Sequence, residues 1–313
     1  MLRFIRDTIV AAVRGLARHK QSSALTILCI ALGVAASATA LSLAWTVTFR
    51  PLPFPDAERL VRVWLASDVD PRLDMSIPDI ADVAREVPAF DRVAGTARTR
   101  FVTLFDHGAE RLRGEAVTPA YFELLGVRSA RGRTFAASDH APGAARVAII
   151  SDATWRRHYG GDPGIIGRTF RTESATFEIV GVVEDGFDGS IENDIVEFWV
   201  PLSQYLPAAY TSARHVRQSW VIGHLAPGAT LAQAEQQLSR LGASLGQAHG
   251  ATYRGITLRA EPFGENWRTT VRGSGILLLG AALMLLVIAV VNVSGLALAR
   301  TLDRRREFAL RVA

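Results

Sequence analysis

Lysine is almost missing from this chain. Lys20 is the one lysine among 35 basic residues, and no Gly-x-x-x-x-Gly-Lys-Ser/Thr loop surrounds it. That loop places its lysine on the terminal phosphates of a nucleotide. Its absence excludes ATP hydrolysis of the P-loop kind by this chain. Cysteine is equally scarce. Cys29 stands alone inside an apolar run, so the rest of the chain has no disulfide and rests on its own core. The seven histidines, at 19, 107, 140, 158, 215, 224 and 249, never fall at metal-ligand spacing, and no His-Glu-x-x-His occurs. These absences predict no metal, no cofactor and no enzyme.

Two long runs lack charge altogether. Ala24 to Phe49 and Ser274 to Leu298 hold no Asp, Glu, Lys or Arg. About 20 apolar helical residues span the hydrocarbon core of a bilayer, and both runs exceed that. They predict transmembrane helices at 22–49 and 273–298, with one large extracytoplasmic domain at 50–272. Arg3, Arg6, Arg14, Arg18 and Lys20 precede the first run. Arg300, Arg304, Arg305, Arg306 and Arg311 follow the second. Positive charge beside a span stays in the cytoplasm. The expected topology is therefore two-pass in the cytoplasmic (inner) membrane, with both termini inside and the main domain periplasmic or extracellular. The basic start, the apolar run and Ala38-Thr39-Ala40 also imitate a cleavable signal peptide. The run continues past that triplet through Trp45 and Val47, which favours an uncleaved span.

Other features of the ends are less one-sided. In residues 1–21, Leu2, Ile5, Ile9, Val13 and Leu16 share one helix face. That suits an amphipathic helix on the membrane surface, or a simple topogenic charge cluster. Gly33 and Ser37, four residues apart, permit a close helix approach. Asn292 in the second run asks for a hydrogen-bond partner, on a neighbouring helix or along a transport pathway. Gly33, Ser37 and Asn292 are the expected helix-packing positions. The formal net charge is +5, but the arginines of the middle region are scattered among Asp and Glu. That pattern argues against nucleic acid as a partner.

The middle predicts an α+β domain. Expected strands are Leu60–Leu65, Phe101–Phe105, Arg111–Val117, Arg146–Ser151, Phe177–Val183, Trp220–Leu225 and Ile256–Glu261. Expected helices open at Ser76-Ile77-Pro78, at Thr118-Pro119 ending on Gly126, at Asp152 and at Leu231. The order gives two β-α-β-like units, early and late, around a strand-rich insert near Gly126–Leu202. Gly160–Gly167 is glycine-rich but joins no strand to a helix, so it reads as turns and not as a dinucleotide loop. Glu184, Asp185, Asp188, Glu192, Asp194 and Glu197 read as a solvated acidic loop, with spacing unlike an EF-hand.

Several ordered motifs now add up. Leu32-Gly33-Val34-Ala35 is followed by Arg50-Pro51-Leu52-Pro53-Phe54-Pro55-Asp56-Ala57-Glu58-Arg59-Leu60-Val61. Tyr121-Phe122-Glu123-Leu124-Leu125-Gly126-Val127, Gly132-Arg133-Thr134-Phe135, Val147–Ser151 with Trp155, Gly161-Asp162-Pro163, Ile166-Gly167-Arg168 and Val180-Gly181-Val182-Val183 come next. Pro227-Gly228 with Ala234, Asn292-Val293 to Arg300, and Arg306–Arg311 complete the set. Together they resemble the MacB/FtsX-type permeases, most closely the duplicated orphan permeases that lack a fused ATPase. The resemblance implies a MacB-like periplasmic core, with porter-like β-α-β units split by the insert. It implies a separate ABC ATPase as partner, and an outer domain that moves when ATP is hydrolysed and acts on substrate or on a periplasmic or envelope partner. It also implies that Arg304, Arg305, Arg306, Glu307 and Arg311 contact that ATPase. The plainer reading of the same residues is a positive-inside anchor.

Family members carry at least four spans, whereas this sequence stops at Ala313 after the second. The expectation is a truncated permease or one piece of a split one, with a homo-oligomer as a further option. The alternative function is a membrane-anchored periplasmic interaction module without energy coupling. An extracytoplasmic enzyme with a site built from distant residues ranks third.

Overall fold

The computed structural model describes residues 54–105, 108–190 and 195–265, with 27–28, 31–42, 276–277, 279–288, 290–291 and 294–295. The chain divides into two units, Met1–Pro51 with Asn266–Ala313, and Leu52–Glu265. In the first unit, residues 31–42 and 279–288 are helical. Among the described residues no helix is long and apolar enough to cross a membrane. The expected spans at 22–49 and 273–298 lie partly outside those residues. The segments 1–21 and 299–313 lie wholly outside them.

The second unit is built on strands that alternate. β1 (Leu60–Ala66) buries Val61, Val63 and Leu65 on one side of the sheet and Leu60 on the other. Helix α1 (Ile77–Glu86) starts where a capping box forms. The Ser76 hydroxyl accepts from the Asp79 amide, and the Asp79 carboxylate accepts from the Ser76 amide. Pro78 fits the first turn, where no amide partner is needed. β2 (Phe90–Phe105) is far longer than the expected Phe101–Phe105. Its first half is masked by polar and small residues. Gly95 is there because α1 packs on it, and a Cβ would stand 2.3 Å from the end of Ile80.

β2 turns into β3 (Gly108–Val117), paired antiparallel from Phe105↔Gly108 to Thr96↔Val117. The chain then runs through α2 (Tyr121–Leu124), β4 (Ser129–Gly132), β5 (Val147–Ile150), α3 (Asp152–Tyr159), β6 (Thr169–Arg171), β7 (Thr176–Val183) and β8 (Phe198–Pro201). Short helices α4 (Leu202–Tyr205) and α5 (Ala208–Thr211) lead to β9 (Trp220–Leu225), α6 (Leu231–Ala248), α7 (Gly250–Tyr253) and β10 (Thr257–Pro262). Sequence patterning misses β4, β6 and β8, each three or four residues long.

All ten strands join one sheet in the order β10-β1-β9-β2-β3-β8-β5-β7-β4, with β6 on β7. β1 and β2 both run antiparallel to β9, so they are parallel to each other and α1 connects them. β9 and β10 both run antiparallel to β1, and α6 connects those. Two split β-α-β units thus interlock, in the ferredoxin-like manner. Everything from β3 to β8 is inserted between β2 and β9. The insert therefore begins at β3, earlier than the expected Gly126.

Two apolar layers cover the sheet. One joins Val61, Val63 and Leu65 to Val83 of α1 and to Ala234, Leu238, Leu241 and Leu245 of α6, which recur at helical spacing. The other joins Leu60, Val117, Ile149, Trp199 and Ile222 to Tyr121, Phe122 and Leu124 of α2.

Close backbone approaches fix some glycines. Gly132 has φ +68°, and a Cβ there would stand 2.2 Å from the Val180 carbonyl oxygen. Gly143 has φ +76° with open space around it. Gly143→Ala should cost only left-handed strain, about 1 kcal/mol. Gly132→Ala should cost about 3 kcal/mol, because the β4–β7 backbone must also move. Urea unfolding of the full chain in detergent checks this. Equal losses would place the whole cost in backbone conformation.

Candidate functional site

The chain enters and leaves its large unit on neighbouring strands. β1 and β10 pair antiparallel, with Val61 opposite Pro262. Phe54 precedes β1 and Phe263 follows β10, and their rings meet edge to face at 5.9 Å. Phe54 also meets Phe187 at 6.4 Å. Phe187 stacks on Trp199 of β8 at 5.2 Å and lies 6.5 Å from Tyr121. Phe122 carries the contacts on to Phe135 at 5.7 Å. Aromatic pairs of this kind contribute about 0.5–1.5 kcal/mol each beyond their burial. An unbroken run of rings therefore ties both ends of the unit to the insert.

The motifs behind the family resemblance gather at the same place. Pro55 packs on Gly126, where φ is +67° and a Cβ would stand 2.6 Å from the proline ring. Gly181 faces the Arg133 carbonyl, where a Cβ would stand 2.2 Å from the oxygen. Arg59 donates from Nε to the Leu225 carbonyl at 2.9 Å and pairs with Asp91. Asp91 in turn bonds His224 Nδ1 at 2.7 Å. Segments around residues 55, 126, 133 and 181, far apart in sequence, thus close on one another.

Beneath the rings lies a buried carboxylate. Glu115 of β3 is fully buried. Its Oε1 accepts from the Ser190 amide at 3.1 Å and the Ser190 hydroxyl at 3.3 Å. Its Oε2 accepts from Trp199 Nε1 at 3.1 Å and from the Tyr121 hydroxyl. Burial, and then the Glu115 charge, push the Tyr121 hydroxyl well above its usual pKa, so it stays a donor. A comparable knot holds α1. Asp79 accepts from the Tyr253 hydroxyl and from Arg214, which also reaches Asp82 at 2.7 Å. Burial, then the bond to Asp79, raise the Tyr253 hydroxyl to about 12.

A third group titrates in acid. Arg133 grips Asp139 through two nitrogens, and that bond holds the Asp139 carboxyl below its usual value. Beside it, burial pushes His140 down to about 4, with Asp139 opposing.

The expected site residues divide by position. In the first unit Gly33 is buried. Ser37 Oγ donates to the Ala282 carbonyl at 3.2 Å, which links the two apolar segments, and Ala282 is also buried. Asn292, Arg304, Arg305, Arg306, Glu307 and Arg311 lie outside the described residues. In the acidic loop, Glu184, Asp185 and Asp188 are exposed, but Phe187 and Ser190 are buried and Glu197 is half-buried, while Glu192 and Asp194 lie outside the described residues. Gly160–Gly167 forms successive turns. Among the described residues no three His, Cys, Asp or Glu converge as metal ligands would. Against the expectation that the chain holds no Gly-x-Ser-x-Gly, Gly242-Ala243-Ser244-Leu245-Gly246 carries that pattern. It sits inside α6, not at a strand-to-helix turn, and Ser244 donates back to the Leu241 carbonyl. No nucleophile elbow results.

This is a mixed α/β unit of periplasmic type, two interlocked β-α-β halves with a strand-rich insert. The sequence profile of the MacB-like periplasmic core domain matches residues 23–241. The chain belongs to that family, and it corresponds to the N-terminal portion of a MacB/FtsX-type ABC transporter permease. The macrolide export ATP-binding/permease protein MacB of Campylobacter jejuni is 24% identical over 235 residues, 74% of this chain. The chain spans 35% of that relative's length. The crystal structure of the periplasmic region of MacB from Actinobacillus actinomycetemcomitans aligns with TM-score 0.52 and 14% identity, covering 69% of this chain and 94% of that one. That likeness shows the fold.

Two outcomes follow for the full chain in detergent. Glu115→Gln replaces a four-fold acceptor by an amide that can no longer accept at both ends. It should lower stability by about 2–4 kcal/mol, and Tyr121→Phe by about 1.5–3 kcal/mol, since bonds to a charged acceptor carry that much. Thermal unfolding that leaves Glu115→Gln at the wild-type midpoint would remove Glu115 as the pin.

The second concerns pH. The pKa of His140 is lower folded than its usual 6.5, so its stabilisation is complete above 6.5 and is lost as pH falls to about 4. The pKa of Asp139 is also lowered, so its contribution goes only below the usual carboxylate range near 3.8. Stability should thus begin to fall near pH 6.5, and His140→Gln should flatten the slope between 6.5 and 4. Urea midpoints at stepped pH test this; an unchanged slope in the variant assigns it elsewhere.

Proposed function

We propose that this chain is a membrane permease component of an ABC-type system, which passes ATP-driven motion from a separate ATPase to its periplasmic domain. The output is export or envelope remodelling. The observation that carries this reading is the pairing of β1 with β10, braced by Phe54, Phe187 and Phe263. Displacing one end of the unit against the other loads a pair of adjacent strands directly, and the sheet and the ring contacts carry that load into the insert. The lack of a P-loop lysine means that the ATP must be hydrolysed elsewhere.

The apolar segments support a lipid-embedded setting in the inner membrane, crossed twice with both termini cytoplasmic. Leu277 is 76% exposed and Met284 67%, and Leu32, Val34 and Leu41 are exposed as well. Such a surface is costly in water and neutral in hydrocarbon. Ser37 bonded to Ala282, with Gly33 buried, gives the two segments a polar and a close-packed contact. Asn292 would add to it. The ATPase contact falls to Arg304, Arg305, Arg306, Glu307 and Arg311, four of which are cationic. A homo-oligomer would supply further spans.

The double variant Arg305→Glu/Arg306→Glu tests the coupling. Tagged wild-type chain should retain an ABC ATPase from its host membrane, read by mass spectrometry, and the variant should lose at least about tenfold of it. Cysteine labelling should show unchanged topology. Retention of the ATPase by a correctly inserted variant would remove these residues as the contact, whereas a wild-type chain that retains no ATPase would favour the second reading, a membrane-anchored interaction module without energy coupling.

A further inference from the structure

The outward side of the β2–β3 hairpin is an arginine face. Alternate strand residues share a side. Ala97 and Thr99 are buried, and Phe101 stacks on Phe198 at 5.2 Å, which leaves Arg98 and Arg100 on the opposite side. On β3 Leu112 and Gly114 are buried, which leaves Arg111 and Arg113 beside them. All four arginines are exposed. The register sets Arg100 directly opposite Arg113. Like charges directly opposite destabilise an antiparallel pair. Among the described residues, Arg98, Arg100 and Arg111 make no ion pair with a carboxylate.

The face continues across the sheet. The Arg98 guanidinium lies over the Trp220 ring at 4.9 Å, and that of Arg62 lies over the same ring at 4.0 Å. Stacking fixes the plane of the Arg98 guanidinium, and a stacked guanidinium can still donate along its N–H edge to a bidentate acceptor. The neighbouring carboxylates are mostly engaged. Glu261 takes two bonds from Arg72, at 2.7 and 2.8 Å, and Glu115 is buried under its four donors. Asp74 lies near Arg62 and Arg98.

We propose that this face docks an extended acidic peptide segment of an envelope protein, with carboxylates at alternate positions. Arg98 and Arg100 repeat along β2 at about 6.7 Å, the distance between alternate residues of any extended chain. A strand-like segment with Glu or Asp at every second residue would therefore meet them in step. Arg111 and Arg113 repeat at the same interval on β3. The guanidinium fork suits carboxylates that arrive in a fixed row. This deepens the proposed function by naming the chemistry of its periplasmic partner. It rests on that reading only for the partner being an envelope protein, because docking needs no ATP.

The test is fluorescence anisotropy with the full chain in detergent. The probe is a labelled dodecapeptide of alternating Glu and Thr, set against a peptide of the same composition with its glutamates in one block. The alternating peptide should bind more tightly. Arg98→Gln/Arg100→Gln should weaken it about tenfold, while Arg240→Gln, on the exposed side of α6, should leave it unchanged. Raising salt from about 0.05 to about 0.5 M should abolish most of the binding. Circular dichroism of the double variant should match the wild type, so that weaker binding reads as lost contacts and not as unfolding. Equal binding of the block peptide would overturn the spacing argument. Binding to phosphatidylglycerol vesicles with no binding of either peptide would make the face a lipid surface and overturn the proposal. Failure of the wild-type chain to retain any ATPase, with peptide binding intact, would count against the permease reading alone.

Discussion

Residues 114–117 are buried on both sides of the sheet, and one of them is a glutamate. That constraint organises much of the unit. A carboxylate taken from water without partners costs several kcal/mol. Here it is offset by donors that come from three directions: Tyr121 on α2, Trp199 on β8, and Ser190 in the loop before β8. Each donor belongs to an element that local sequence alone would leave loosely placed. β8 is four residues long, and α2 makes a single turn. Satisfying Glu115 fixes all of them at once. It does so where β3, paired to β2 of the interlocked β-α-β halves, runs parallel to β8 of the insert.

The opposite layer of the same join is apolar and equally unforgiving. A Cβ on Gly114 would stand 2.3 Å from the Phe198 ring. Phe198 in turn stacks with Phe101 of β2 and meets Phe170 of β6. Strand β3 is thus held from one side by hydrogen bonds to a charge and from the other by ring packing. A sheet braced on both sides transmits a displacement with little loss, since packed cores shift between discrete arrangements and do not deform smoothly. This suits a unit proposed to receive motion at β1 and β10 and to deliver it at the insert.

Much of this was legible in the sequence, and the failures have physical causes. Strands with one dominant apolar register, such as Leu60–Ala66 with Val61, Val63 and Leu65, and helices with caps, such as Asp152–Tyr159 after Ser151, fall where patterning places them. The first half of β2 does not, because Gly95, Thr96, Arg98 and Arg100 lack the apolar alternation that announces a strand. β8 is missed for the reverse reason: Phe198 to Pro201 are all buried, so no alternation exists. The aromatic run was invisible for a third reason. Phe54, Phe187 and Phe263 lie outside strands and helices, and their meeting is a property of topology. One signal did exist for Glu115, a lone acid within the small and apolar stretch Gly114-Glu115-Ala116-Val117. Of the residues expected to serve function, Gly33 and Ser37 can be placed, and the arginine tail lies outside the described residues.

The near-absence of lysine acquires a meaning on the sheet. All but one of the 35 basic residues are arginine. Lysine ends in a compact, strongly hydrated point charge. Arginine ends in a flat, weakly hydrated fork that can lie on an indole. Arg62 and Arg98 on Trp220, and Arg72 on Trp64 at 4.8 Å, use that property. A lysine at these positions would hold its charge off the ring, in water, and would leave the indoles half-covered. The stacked fork does two things together. It shields apolar ring surface on the outward side of the sheet, and it presents N–H edges in a fixed plane. The same chemistry that makes this part of the sheet tolerable in water is therefore what makes it selective for a planar, bidentate anion over a diffuse negative surface.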